Sequence, residues 1–209
     1  MRTRELRGAA AVLVLAMTLA GCGSRPGANG SGHAGVAAVG SADSTRRAQP
    51  SLYELGFALT DAQGRTRHLA EFRGQPFVAS MIYTHCTSVC PRITADLKAL
   101  DRALPAEVRA RTRFLLFSLD PERDTPAALA GFARERGLDP ERWTLLAAGP
   151  DDMRTLAAVL DVRFRPDAGG EIAHSAVIVV VDREGVIRFR QAGLTGDAAP
   201  LVAAVRAVE

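Results

Sequence analysis

The chain has 209 residues, 47% of them hydrophobic, and a formal net charge of +3 from 26 basic and 23 acidic residues. The basic residues are dispersed along the sequence and do not form a stripe that could follow a phosphate backbone, so the charge gives no case for nucleic-acid binding. With only three cysteines, the chain also cannot supply the four thiolates of an iron–sulfur cluster.

The first 21 residues have the features of a secretory signal peptide. Three arginines lie within the first seven positions, residues 9–19 are apolar apart from Thr18, and small residues precede Cys22. The apolar run is too short to span a bilayer. Residues 19–22 read Leu-Ala-Gly-Cys and resemble a bacterial lipobox, which implies that Cys22 is lipidated; an ordinary cleaved signal is the alternative. We therefore expect a lipid-anchored protein of the bacterial cell envelope, on the exported side of the membrane.

Residues 22–51 are predicted to form a flexible tether behind the lipidated cysteine. They are rich in Gly, Ala and Ser and show no apolar periodicity. A tether of this length has a typical end-to-end distance of about 30 Å. The remaining segment, residues 52–209, is long enough for one hydrophobic core and short for two, so a single folded domain is expected there.

The folded segment begins with a predicted β-hairpin over residues 55–69, with its turn at residues 61–64. A buried strand is predicted at residues 76–83. A helix is expected directly after it, because apolar residues recur there at intervals of three or four: Val89, Ile93, Leu97, Leu100 and Leu104.

The rest of the segment alternates between predicted strands and helices. Strands are expected at 113–119, 143–147, 175–181 and 186–191, and helices at 125–136, 150–160 and from 197 onward. Alternating elements that end in a hairpin and a helix predict an α/β fold with a mixed central sheet flanked by helices. This is the thioredoxin-like order, with an N-terminal β-hairpin as an extension.

Two cysteines lie where the first long strand meets the first helix. Cys86 is expected in the loop and Cys90 at the helix start, because Pro91 suits the first helical turn. The positive end of a helix dipole favours thiolate over thiol, which raises both nucleophilicity and metal affinity. If Cys22 is lipidated, these two can pair only with each other. An oxidising compartment then favours a disulfide between them, unless a metal or a reductant intervenes.

A third donor is expected from His174, which precedes the apolar strand at 175–181 and should lie at one edge of the sheet. In a thioredoxin-like fold, the loop entering this strand faces the cysteine helix. Conventional thioredoxins have a substrate-docking proline there, whereas this chain has no proline between Pro166 and Pro200. His85 competes for the ligand role, but a residue at a strand end points away from its neighbour, here Cys86.

This set of donors leaves two kinds of chemistry open. Two thiolates and an imidazole suit copper(I), and zinc with an open fourth position is also allowed. Without a metal, Cys86 and Cys90 would form a redox-active pair for thiol–disulfide exchange, in which His174 would be dispensable.

Three sequence blocks resemble the SCO/SenC copper-chaperone family. They are Tyr-Thr-His-Cys-Thr-Ser-Val-Cys-Pro at 83–91, Ser-Leu-Asp-Pro-Glu-Arg-Asp-Thr-Pro at 118–126, and His-Ser at 174–175. The front segment, Phe-Ala-Leu-Thr-Asp at 57–61 followed by Gly64, also fits. Each block alone is weak evidence for this family, but the three blocks in this order are specific to it.

The resemblance implies a thioredoxin-like copper-binding protein that assists assembly of the dinuclear copper centre of cytochrome c oxidase. Its implied ligands are Cys86, Cys90 and His174. The implied partner is a copper-accepting oxidase subunit or another exported copper protein. The alternative function is a thiol–disulfide oxidoreductase that reduces cysteines of exported copper proteins. Distance in the sequence leaves open whether Asp120, in the second block, approaches the metal.

Overall fold

A computed structural model describes residues 50–209 of the chain. The predicted signal peptide, the predicted lipidation site Cys22 and most of the predicted tether lie outside these residues. Ser51, the last residue of that tether, caps a short 3-10 helix at Leu52–Glu54 and its hydroxyl donates to the carbonyl of Glu184 at 2.5 Å. Within residues 50–209, no helix is both long enough and apolar enough to cross a membrane.

The described chain forms nine strands and five α-helices. In order, they are β1 (Leu59–Asp61), β2 (Thr66–Arg67), β3 (Phe77–Ile82), α1 (Val89–Ala103), α2 (Ala106–Arg111), β4 (Arg113–Ser118), α3 (Pro126–Glu135), β5 (Trp143–Ala148), α4 (Pro150–Leu160), β6 (Phe164–Pro166), β7 (Ile172–His174), β8 (Val177–Val181), β9 (Ile187–Ala192) and α5 (Ala199–Ala207). A second 3-10 helix spans Leu69–Phe72.

Seven strands form one mixed sheet in the order β2-β1-β5-β4-β3-β8-β9. Strands β3, β4 and β5 run parallel, and β8 returns antiparallel to β3. All residues of β3 and β8 are buried, which explains why β8 is a continuous apolar run and β3 has a single polar residue, Ser80, whose hydroxyl donates to the carbonyl of Val177 at 2.7 Å. The mixed α/β, thioredoxin-like fold is as predicted, and the front hairpin joins the sheet through antiparallel pairing of β1 with β5.

The structure differs from the predicted elements in three places. Helix α2 was not predicted, and its six residues include none that are buried, so it lacks the apolar stripe that reveals a helix in sequence. The hairpin of β6 and β7 was also not predicted, because strands of three residues are too short to show alternation. Finally, His174 does not lie at the edge of the main sheet: it ends β7, and β6 and β7 form a separate two-stranded sheet.

Candidate metal centre

The Cys86 sulfur lies at the N-terminus of α1. No side chain caps the helix at Ser88, but the backbone N–H of Cys90 donates to Cys86 Sγ at 3.2 Å. Unpaired N–H groups at a helix start carry partial positive charge, so the sulfur is in the place that an anion would take. The loop before α1 therefore folds around the Cys86 sulfur itself.

A buried carboxylate fixes the beginning of this loop. Asp124 lies in the turn between β4 and α3, and its side chain is fully buried. It accepts hydrogen bonds from the backbone N–H of Thr84 at 3.1 Å, from the Thr84 hydroxyl at 2.6 Å and from the Ser118 hydroxyl at 2.6 Å. The second sequence block is thus connected to the cysteine loop two residues before Cys86.

The hairpin of β6 and β7 brings His174 to the same place. Its imidazole Nε2 lies 3.4 Å from Cys90 Sγ, and its Nδ1 lies 3.1 Å from the backbone oxygen of Ser175. A carbonyl oxygen can only accept, so the ring proton is on Nδ1 and the lone pair of Nε2 faces the sulfurs. This is the tautomer that a metal-binding imidazole needs.

The donor atoms of Cys86, Cys90 and His174 all lie within 4.8 Å of one another. A metal with bonds of about 2.0–2.3 Å holds its ligands about 4 Å apart, so shifts of under about 1 Å would place all three on one ion. Both cysteines are buried free thiols and the histidine is partly buried. In the part of the chain that the structure describes, no other group of three such donors occurs.

His85 and Asp120, two other candidates from the sequence, lie outside this group. The side chain of His85 is 50% exposed, and its Nδ1 faces the Thr84 hydroxyl at 3.2 Å. The carboxylate of Asp120 forms an ion pair with Arg123. Neither side chain belongs to the cluster of three donors.

The two thiols differ in acidity. Burial raises the pKa of Cys86, but this is outweighed by hydrogen bonds from the Cys90 thiol and the backbone N–H groups of Cys90 and Ser88, so the pKa is lowered. Burial raises the pKa of Cys90 strongly, and its hydrogen bond to Cys86 raises it further. The pair therefore combines one sulfur that loses its proton readily with one that retains its proton.

Burial also lowers the pKa of His174 below its ordinary value of 6.5, although the Ser175 carbonyl opposes this shift. The imidazole is therefore neutral at neutral pH. A neutral imidazole is the form that binds metals.

Tyr83 and Asp124 had no predicted role, although both lie in the sequence blocks at 83–91 and 118–126. The Tyr83 hydroxyl bonds to the β6–β7 hairpin, donating to Glu171 Oε2 at 2.7 Å and accepting from the backbone N–H of Ile172 at 3.2 Å. A buried tyrosine normally finds a partner for its hydroxyl, which is the one signal that could have suggested such a contact.

The chain matches one protein-family model along most of its length and resembles several curated proteins. The family model described as SCO1/SenC matches residues 45–208. A curated relative, the SCO1 protein homolog of Bacillus subtilis (strain 168), is 26% identical over 145 residues, covering 66% of this chain and 73% of the relative. Three further relatives match over 42% of this chain but only 33% or 34% of their own length.

Solved structures share the fold. The copper-bound structure of ScoI from Bradyrhizobium japonicum is 25% identical with a TM-score of 0.62, and the match covers 73% of this chain and 97% of that one. BsSco, described as having a disulfide switch and as a member of the Sco family of cytochrome c oxidase assembly proteins, is 22% identical with a TM-score of 0.66, covering 77% and 94%.

Proposed function

Because the chain belongs to the SCO1/SenC family, we propose that it is a copper metallochaperone with Cys86, Cys90 and His174 as ligands. It delivers copper to the dinuclear copper centre on a copper-accepting subunit of cytochrome c oxidase, while that enzyme is being assembled. The alternative recipient is another exported copper protein. ScoI, whose structure holds copper, and BsSco, named as a member of an oxidase-assembly family, support this proposal.

The observation that carries the proposal is the convergence of two sulfurs and one imidazole nitrogen within 4.8 Å. Thiolates are soft ligands that select copper(I), and an imidazole also suits copper(II). The donor set therefore fits copper in both oxidation states. Three protein ligands leave room for a donor from the recipient, through which the ion can be transferred.

Anaerobic titration of the reduced protein with copper(I), against a competing chelator, tests the proposal. We expect one equivalent to bind tightly, and His174→Ala to weaken binding. His85→Ala is the matched control, because it removes an imidazole next to Cys86 that lies outside the cluster. The proposal fails if no stoichiometric binding occurs, or if His174→Ala leaves the affinity unchanged.

The unequal acidity of the cysteines supports a second activity, thiol–disulfide exchange. The Cys86 thiolate would attack one sulfur of a substrate disulfide and release the other as a thiolate. Cys90 would then lose its proton and attack Cys86 in the mixed disulfide, releasing the second substrate thiolate and leaving a Cys86–Cys90 disulfide. Exchange assays with the metal-free protein test this activity. It should disappear in Cys86→Ser and persist in His174→Ala; inactivity of the wild type would exclude it.

We also propose that the domain at residues 52–209 is held at the exported side of a bacterial membrane through lipidated Cys22 and the tether. The support is the Leu-Ala-Gly-Cys sequence at residues 19–22 behind a basic and apolar start. In cell fractionation, the wild type should be in the membrane fraction, and Cys22→Ser should leave it. Membrane association that persists in Cys22→Ser would refute the lipid anchor.

A further inference from the structure

The hairpin of β6 and β7 carries one of the three donors but is not hydrogen-bonded into the main sheet. Each of its strands has only three residues. An isolated two-stranded hairpin is marginally stable in water, so its position depends on side chains that attach it to the rest of the domain. The position of His174, the last residue of β7, depends on the same attachments.

Tyr83 provides such an attachment from directly beyond β3. It is 1% exposed, and its hydroxyl makes two hydrogen bonds to the hairpin, one to the Glu171 carboxylate and one from the Ile172 N–H. These partners lie three and two residues before His174. The tyrosine ring also packs edge-on against the imidazole, with 5.9 Å between ring centroids.

Tyr83 also lies next to the cysteine loop in the sequence. It lies three residues before Cys86, and its backbone oxygen accepts a hydrogen bond from the Cys86 N–H at 3.3 Å. One residue therefore contacts both segments that supply donors: its backbone belongs to the cysteine loop, and its side chain holds the histidine hairpin.

We propose that Tyr83 is a positioning residue for the metal centre, whose hydroxyl holds the β6–β7 hairpin so that the His174 imidazole stays beside the cysteine pair. This inference rests on the proposed copper function. Groups that orient a metal ligand typically change metal affinity by about 10–100-fold when they are removed. We expect a loss in this range from Tyr83→Phe, which removes the hydroxyl and keeps the ring.

The chain has two tyrosines, and the other provides a matched control. Tyr53 is also buried, and its hydroxyl donates to the backbone oxygen of Phe72 at 3.0 Å, with no hydrogen bond to the hairpin. Tyr53→Phe therefore removes one buried tyrosine hydroxyl elsewhere in the domain. Copper(I) competition titrations should show weaker binding for Tyr83→Phe and wild-type affinity for Tyr53→Phe.

A double-mutant cycle separates positioning of His174 from a general structural effect. If Tyr83 acts through the imidazole, Tyr83→Phe should cause no further loss of affinity in a His174→Ala background. An equal loss in both backgrounds, or a Tyr83→Phe affinity within twofold of the wild type, would overturn the inference.

A readout that needs no copper separates this inference from the proposed function. In the metal-free protein, amide hydrogen exchange at residues 172–175 should be faster in Tyr83→Phe than in the wild type, and unchanged in Tyr53→Phe. If the wild type bound no copper, the proposed function would fall, while this exchange experiment would still decide whether Tyr83 holds the hairpin. Unchanged amide hydrogen exchange in Tyr83→Phe would show that the Tyr83 hydroxyl does not hold the hairpin in place.

Discussion

Replacing Asp124 with asparagine tests how the fold supports the metal centre. The carboxylate is fully buried and accepts hydrogen bonds at both oxygens, from Thr84 on one side and Ser118 on the other. The Ser118 hydroxyl oxygen already accepts from the Asp120 N–H, so its hydrogen is directed to Asp124. An asparagine can keep the bonds from Thr84 through its single oxygen, but then turns its NH₂ group toward Ser118.

The variant therefore loses the hydrogen bond from the Ser118 hydroxyl to the buried carboxylate, and the Thr84 N–H, which the carboxylate shares between its two oxygens, keeps only one of them. Hydrogen bonds to charged groups contribute about 1.5–3 kcal/mol each, so we expect the free energy of unfolding to fall by about that amount. Urea denaturation of the reduced, metal-free protein measures this quantity by linear extrapolation. Asp124→Ala, which removes every acceptor, should cost more.

Asp151→Asn is the control for this experiment. The Asp151 side chain is 98% exposed and pairs only with Arg154 on the same helix, so its replacement should change stability by no more than about 0.5 kcal/mol. If Asp124→Asn lowers the free energy of unfolding no more than this control does, the hydrogen bonds of Asp124 do not stabilise the start of the cysteine loop.

Three further outcomes follow from the same structure. Because burial lowers the pKa of His174 below 6.5, the unfolded chain takes up a proton there first as pH falls, so the free energy of unfolding should decrease below pH 6.5. His174→Gln should reduce this dependence of the free energy of unfolding on pH. An unchanged dependence would show that His174 is not the group that takes up the proton. In the reduced protein, iodoacetamide should modify Cys86 before Cys90, with a half-maximal rate below pH 9.0, as resolved by peptide mass spectrometry; equal rates would argue against the unequal acidity. Gly185→Ala should destabilise the domain by about 1–3 kcal/mol in urea denaturation, because Gly185 has a φ of +83° and an added Cβ would collide with the Tyr53 ring. Wild-type stability of this variant would show that the turn relaxes freely.

Much of the fold was predictable because its elements carry strong sequence patterns. The apolar run of β8 and the helical spacing of α1 both correspond to faces that the domain buries. Alternating strands and helices then limited the architecture to a mixed sheet flanked by helices. Helix α2 and the β6–β7 hairpin could not be predicted, because the first buries no residue and the second has strands of three residues.

The candidate site was only partly predictable. The helix start identified the place of Cys86 and Cys90, since Pro91 suits the first helical turn and α1 indeed begins at Val89. The approach of His174 to the cysteines was expected from the thioredoxin-like order. The element that carries His174 was not expected, because the histidine lies on a separate hairpin. That hairpin is attached by a hydrogen bond between Tyr83 and Ile172, which are 89 positions apart in the chain.

The roles of Asp120 and Asp124 also could not be predicted from the sequence. Both lie in one sequence block, and nothing in that block distinguishes a carboxylate that pairs with Arg123 from one that anchors Thr84. Pairings of this kind depend on how two loops meet above the sheet. Local periodicity carries no information about such contacts.

X-ray absorption spectroscopy of the copper(I)-loaded protein tests whether Cys86, Cys90 and His174 bind the copper, because it counts the ligand atoms on the metal. We expect two sulfur ligands and one imidazole nitrogen in the wild type, and loss of the imidazole signal in His174→Ala with both sulfurs retained. A wild-type spectrum without an imidazole contribution, or one that His174→Ala leaves unchanged, would contradict the assignment of Cys86, Cys90 and His174 as the copper site.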